Sequence, residues 1–262
     1  MSAAAARIAG IDIGSSTTKL VLLTEAEPTH AIADSGPEPL RTAQDMVAQH
    51  APDVVWATGY GRHLARSSFA DGVVTEIKAA AVGARALHPD SQTIIDIGGQ
   101  DSKVIALDEG GRAIHFEMND RCAAGTGKFL EVMAGRLGFD LETFGRRANE
   151  STQAVPVNST CTVFAESEVI SLLARGEPSD RIARGLHISI AERIVAMVLR
   201  AGGPRAEVVF CGGVAHNPCL RALLAERLGV EIRVPRHPQL VVATGAALIA
   251  REAVVAAASP GS

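Results

Sequence analysis

The sequence predicts an α/β fold of two lobes with a cleft between them, and three observations carry that prediction. The chain has 262 residues, 47% of them hydrophobic, enough to bury one large core or two modest ones. Two stretches repeat one theme: residues 8–23 read IAGIDIGSSTTKLVLL and residues 93–107 read TIIDIGGQDSKVIAL, with Asp12 and Asp96 lying 84 residues apart. Beyond the second stretch the apolar residues recur at helical spacing instead.

Each repeated stretch is an apolar strand, an Asp-Ile-Gly turn, a polar tip and a second β-branched strand, which is a glycine-tipped hairpin. Recurrence of such a unit points to two related halves. Between the hairpins a strand is expected over 54–57 and a helix over 76–87, closed by His88-Pro89. Past the second hairpin, Phe129, Leu130, Met133 and Leu137 mark a helix that Gly138 caps. Further helices are expected over 163–174, 182–201 and 244–258, with a strand over 208–211 running into Gly212-Gly213. The predicted boundaries are 1–88 for the first lobe, with a returning C-terminal helix over 243–262, and 89–242 for the second.

Net charge is −4 with the basic residues dispersed, so no dense positive face is available for a nucleic acid, and none is expected as partner. No apolar run is read as reaching the roughly 20 residues that cross a bilayer, so no membrane partner is expected. With no export signal read at the N-terminus, a cytoplasmic location is expected. In that setting the four cysteines, Cys122, Cys161, Cys211 and Cys219, suggest metal binding or buried thiols rather than a disulfide framework.

The first tip, Asp12-Ile13-Gly14-Ser15-Ser16-Thr17-Thr18-Lys19, gathers successive backbone amides, several hydroxyls and a cation at one turn. Amides that converge on a concavity bind phosphate, and a glycine there lets an oxyanion approach. The second tip, Asp96-Ile97-Gly98-Gly99-Gln100-Asp101-Ser102-Lys103, offers the same chemistry and a further carboxylate. Two such hairpins facing across a cleft would clamp a polyphosphate and its metal. An ordinary glycine turn is the alternative for either alone. The stretch Gly125-Thr126-Gly127-Lys128 is no P-loop: Cys122 stands where its first glycine belongs, and Phe129 where Ser or Thr should follow the lysine.

The hairpins and the later Cys211-Gly212-Gly213-Val214-Ala215 resemble the two phosphate motifs and the adenosine motif of the actin, sugar-kinase and heat-shock-chaperone ATPases. That resemblance implies two ribonuclease-H-like lobes closing on Mg·ATP. Asp12 would then hold Mg²⁺ through water, and Asp101 with Gln100 would orient the attacking water. Gly14, Ser15, Ser16, Thr17, Thr18 and Lys19, with Gly98, Gly99 and Lys103, would meet the phosphates. Gly212, Gly213, Val214 and Asn217 would sit at the adenosine.

Cys122 follows Asn119-Asp120-Arg121 and Cys161 follows Asn158-Ser159-Thr160, so each is expected at or near a capped helix N-terminus, where the helix end favours thiolate. Their separation of 39 residues fits neither a zinc ribbon nor a ferredoxin, and two buried thiols are the alternative. A [4Fe–4S] cluster takes four thiolates, so two per chain would call for a second copy. The words NDRCAAGTGKFL at 119–130 and STCTVFAESEVI at 159–170 resemble the signature segments of the activator ATPases of 2-hydroxyacyl-CoA dehydratases, which belong with the ATPase subunits of benzoyl-CoA reductase to the BadF/BadG/BcrA/BcrD ATPase family. The likeness runs from 11 to about 249 and includes ATGYGR at 57–62.

This resemblance implies one [4Fe–4S] cluster bridging a homodimer on Cys122 and Cys161, ATP and ADP with Mg²⁺ as the driving ligands, and ferredoxin or flavodoxin as the electron source. It also implies a transient complex with an iron–sulfur acyl-CoA dehydratase or reductase that receives the electron. The rivals are a benzoyl-CoA reductase subunit or a reductase of double-cubane proteins, a small-molecule kinase, and a nucleotide-switched interaction protein. Cys211 and Cys219 read as packing residues, His63 and His216 as non-catalytic, Glu166 and Glu168 as serving a helix dipole, and Arg121 as a solvated charge or a group tuning the cluster.

Overall fold

The computed structural model describes residues 6–157 and 161–258. In chain order the elements are β1 (Ile8–Ile13), β2 (Thr17–Leu23), β3 (Thr29–Asp34), α1 (Pro39–His50), β4 (Val54–Gly59), α2 (Arg62–Arg66), β5 (Gly72–Val73), α3 (Glu76–Leu87), β6 (Ser91–Ile97), β7 (Ser102–Leu107) and β8 (Ala113–Asn119). Then come α4 (Gly127–Leu137), α5 (Leu141–Glu150), α6 (Thr162–Ala174), α7 (Ser179–Arg200), β9 (Glu207–Cys211), α8 (Pro218–Leu228), β10 (Ile232–Arg233) and α9 (Val241–Ala258). They form two compact units, Met1–Ser91 with Leu107–Ala113 and Gln239–Ser262, and Gln92–Ala106 with Ile114–Pro238.

Each unit is built on a five-stranded sheet, ordered β3-β2-β1-β4-β5 in the first and β10-β9-β6-β7-β8 in the second. The two orders are one topology: a hairpin and a third strand on one side of the leading strand, two later strands on the other. The leading hairpins match residue for residue, since Asp12 pairs with Lys19 and Ile13 with Thr18 in one, Asp96 with Lys103 and Ile97 with Ser102 in the other.

In the first unit β1 is buried along its whole length, as a central strand covered on both faces should be. Its Gly10 has no side chain because the backbone of α9 at Ala243 and Ala247 occupies the space a Cβ would need. Helices α3 and α9 meet as closely, Gly83 against the Val241 carbonyl and Gly245 against the Ala79 carbonyl. By length and composition the stretch Pro238–Ala258 could cross a membrane, so the reading that no apolar run is long enough is corrected. Half of that stretch is buried, α9 lying on β1, β2, β4 and α3.

The second unit has its core between sheet and helices. The predicted stripe of α4, Phe129, Leu130, Met133 and Leu137, packs with Val169 and Leu172 of α6 and with Ile182, Leu186, Ile190 and Ile194 of α7. Each such side chain contributes about 2 kcal/mol by leaving water. The sequence reading missed α5 and found the start of α8 at Pro218. Helix α5 is capped by Asp140, whose carboxylate accepts from the Thr143 amide at 2.7 Å, and α8 starts at Pro218 behind Asn217.

Candidate nucleotide and thiolate sites

The first hairpin is braced from within its own unit. The Gly14 amide donates to the Thr17 carbonyl (3.2 Å), and a Cβ on Gly14 would meet that oxygen at 2.8 Å. The Ser35 hydroxyl donates to the Gly14 carbonyl (2.7 Å). The 3.0 Å contact between the Thr18 and Ser35 hydroxyls must therefore be a donation from Thr18. Thr18, expected at the phosphates, thus turns inward. Among the described residues the amides of Ser15 and Ser16 have no internal acceptor and stay available at the tip. Asp12 is nearly buried, its Oδ2 3.2 Å from Lys19 Nζ. Gly59, at φ +86°, leaves the Asp12 carboxylate room: a Cβ there would lie 2.6 Å from Oδ1. Thr58 pairs in register with Asp12, and its buried hydroxyl has no internal hydrogen-bond partner among the described residues.

The second hairpin repeats the closure, Gly98 amide to Asp101 carbonyl at 2.9 Å, and differs in its charge. Buried Lys103 places Nζ 2.6 Å from Asp101 Oδ2 and 3.8 Å from Asp96 Oδ2. Gln100 is exposed at the tip, and the amides of Gly99 and Gln100 have no internal acceptor among the described residues. The loop after β9 abuts this hairpin. Gly212, at φ +84°, has no space for a Cβ, which would run into the Ile97 carbonyl and lie 2.7 Å from Asp96 Oδ1. Val214 and Gly127 come within van der Waals reach beside it.

Asn217, expected at the adenosine, is turned into the protein. Its Oδ1 accepts from the Leu220 amide (3.1 Å) and caps α8, while Nδ2 donates to His187 Nε2 (2.9 Å). His187 Nδ1 donates in turn to the Ala183 carbonyl (2.7 Å), with Phe144 tilted against the ring. Burial lowers the His187 pKa from 6.5 to about 4, so the ring is neutral, as the chain of donors requires. This histidine had no sequence signal, since nothing local marks it as a partner of a residue 30 positions away.

Cys161 is the N-cap residue of α6 and is exposed; its expected caps Asn158, Ser159 and Thr160 lie outside the described residues. Val163 and Phe164 beside it are exposed as well. Cys122 lies near a helix N-terminus but not at it. It is half-buried in a loop before α4, whose N-cap is Thr126, because Gly125 at φ +89° turns the chain before the helix begins. Asn119 does not cap α4 but donates from Nδ2 to the carbonyls of Cys122 (2.9 Å) and Ala124 (3.0 Å). Glu166 pairs with Arg136 and so ties α6 to α4. Lys128 is exposed, 3.1 Å from Glu131.

The other thiols are buried. Desolvation pushes Cys211 well above its ordinary value, and Cys219, 3.4 Å from an Arg184 nitrogen, to about 11. Neither is poised to ligate metal as thiolate. Among the described residues no three His, Cys, Asp or Glu side chains converge on a metal position. Cys122 and Cys161, both free and neither fully buried, would supply two of the four thiolates that a four-iron cluster takes.

Comparisons with known proteins identify the family and the fold. The description of the BadF/BadG/BcrA/BcrD ATPase family matches residues 9–250. The 2-hydroxyisocaproyl-CoA dehydratase activator of Clostridioides difficile is 42% identical over 252 residues, 92% of this chain and 93% of that protein. The crystal structure of Acidaminococcus fermentans (R)-2-hydroxyglutaryl-CoA dehydratase component A matches with a TM-score of 0.88 at 38% identity, covering 96% of this chain and 100% of that one. The Clostridium difficile activator, solved with bound ADPNP, matches with a TM-score of 0.87 at 38% identity, over 98% of this chain and 99% of that one. The expected fold class, two ribonuclease-H-like lobes of the actin-like ATPases, holds. The chain belongs to the BadF/BadG/BcrA/BcrD ATPase family.

Proposed function

We propose that this protein hydrolyses Mg·ATP to deliver a low-potential electron from a [4Fe–4S] cluster, shared by two copies of the chain, to a 2-hydroxyacyl-CoA dehydratase. The observation that carries the reading is the combination, in one chain, of two phosphate-type hairpins and two accessible thiols on separate elements, over a length similar to dehydratase activators. Asp12 would hold Mg²⁺, which when bound supplies positive charge to the phosphates, and Gln100 with Asp101 would orient the attacking water. Ser15, Ser16, Gly99 and Gln100 offer amides to the phosphates, while Lys19 and Lys103 balance their charge. Gly212, Gly213 and Val214 line the adenosine, and Asn217 holds that loop rather than touching the ligand.

Cys122 and Cys161 would hold the cluster as thiolates, and the cluster when bound supplies one-electron chemistry. A reducing compartment such as the cytoplasm suits open thiols of this kind, and ferredoxin or flavodoxin is the electron source. The receiving partner is an iron–sulfur acyl-CoA dehydratase. Anaerobic reconstitution, an iron assay, a visible spectrum and an ATPase assay test this together. Iron with ATPase activity is expected; ATPase activity without any iron uptake would sink the redox reading, and phosphorylation of a small molecule would favour a kinase.

A further inference from the structure

One set of hydrogen bonds in the second unit joins the second hairpin to the Cys122 loop. The carbonyls of Gly98 and Gly99, at the hairpin tip, accept from the amides of Gly127 (2.9 Å) and Lys128 (2.7 Å), the first residues of α4. Just past the tip, the fully buried Ser102 hydroxyl donates to the Gly125 carbonyl at 2.6 Å. Within the loop, Thr126 donates to the Ala123 carbonyl through its hydroxyl (2.6 Å) and its amide (3.0 Å). From the other side Asn119 grips the carbonyls of Cys122 and Ala124. Little slack remains between the tip and the cysteine.

The first hairpin supplies an internal comparison. Thr18 stands where Ser102 does in the repeat and is as fully buried, yet its bond goes to Ser35, which returns to the Gly14 carbonyl of the same hairpin. The same hydroxyl position is therefore a local brace in one unit and a handle on a distant loop in the other. A tip whose amides gain or lose a phosphate has two states, and a buried, short hydrogen bond passes that difference to whatever it holds.

We infer that Ser102 is a positioning residue that ties the second hairpin to the Cys122 loop, so that the nucleotide at the hairpin sets where Cys122 sits. The inference rests on the nucleotide reading of that hairpin proposed above. It is tested on the full chain without cluster, with no nucleotide, with ADP and with a non-hydrolysable ATP analogue. Two quantities are read by mass spectrometry: the iodoacetamide alkylation rate of Cys122, with Cys161 as reference, and hydrogen exchange across residues 119–128. In the unsubstituted chain both should differ about threefold or more between ADP and the analogue. In Ser102→Ala the difference should vanish while nucleotide affinity stays within about twofold. Ser102→Thr, which keeps a hydroxyl as Thr18 does, should restore it.

Should Ser102→Ala not fold, Ser102→Cys, which keeps the volume and donates only weakly to the Gly125 carbonyl, should shrink the difference in the same way. A persistent difference in either folded variant overturns the inference, as does a difference lost only together with nucleotide affinity. An unsubstituted chain that binds nucleotide but shows no difference overturns the link and leaves the nucleotide site standing. One that binds no nucleotide overturns both.

Discussion

Asp12 and Asp101, the carboxylates proposed to act at the nucleotide, are each held by a lysine of their own hairpin. Asp12 is packed beside Gly59 and barely reached by solvent, whereas Asp101 is about one-third exposed at its tip. Because the hairpins and the two cysteines belong to different elements, Asp12→Ala and Asp101→Ala should each lower ATPase turnover by about 10²-fold or more while iron content is unchanged. Turnover at the unsubstituted level in either purified variant would remove that carboxylate from the site. His187 makes a second prediction at this scale. Its pKa lies near 4 in the fold and near 6.5 in the unfolded chain, so folding favours the neutral ring. The stabilisation is complete above pH 6.5 and lost as pH falls toward 4, amounting to about 3 kcal/mol for this fully buried group. Denaturant midpoints at pH 7, 5.5 and 4.5 should fall accordingly. His187→Gln, less stable at pH 7, should show a shallower decline; an equal slope would point to other groups.

Among the elements, the pairing of α3 with α9 depends on an absence of side chains. Gly83 and Gly245 let the helices approach until backbone atoms of one fill the Cβ positions of the other. Gly245→Ala would place a methyl on the Ala79 carbonyl, and the helices would have to move apart. The cost should be about 2 kcal/mol, read as a Tm several degrees lower. Gly138→Ala, at a helix end with open space around it, meets no such clash and pays only for its left-handed conformation, φ +74°. Thermal melts of both variants check the argument, and it fails if Gly245→Ala melts with the unsubstituted protein. The long apolar stretch that ends the chain is explained in the same terms: it is apolar because it is packed in the first unit.

For the whole molecule the proposed cluster sets the expected assembly. One chain brings two accessible thiols and a four-iron cluster takes four, so the reconstituted protein should sediment as a dimer carrying about four irons. Cys122→Ser or Cys161→Ser removes two of the four thiolates at once by symmetry. Each variant should lose the iron and the visible absorption, and its dimer should weaken. Cys211→Ser and Cys219→Ser should keep the iron, since burial holds those thiols protonated. Four irons in a stable monomer, or a full complement of iron in either of the first two variants, would contradict the shared site.

What could be read from the sequence was what is local. The hairpins were legible because an Asp-Ile-Gly turn between β-branched strands leaves few alternatives, and their repetition announced the two related sheets. The helical stripes of α4, α6 and α7 were legible because one face must meet the core. Cys122 and Cys161 stood out by the words around them. Tertiary structure decided everything that depends on which distant group arrives at a given atom. It placed Cys122 in a loop rather than on a helix, turned Thr18 and Asn217 inward, and brought His187 to Asn217 and Ser102 to the Gly125 carbonyl. Hydrogen bonds of this kind join residues from 17 to 30 positions apart, and no periodicity encodes them: only the close packing of the folded chain selects the partner.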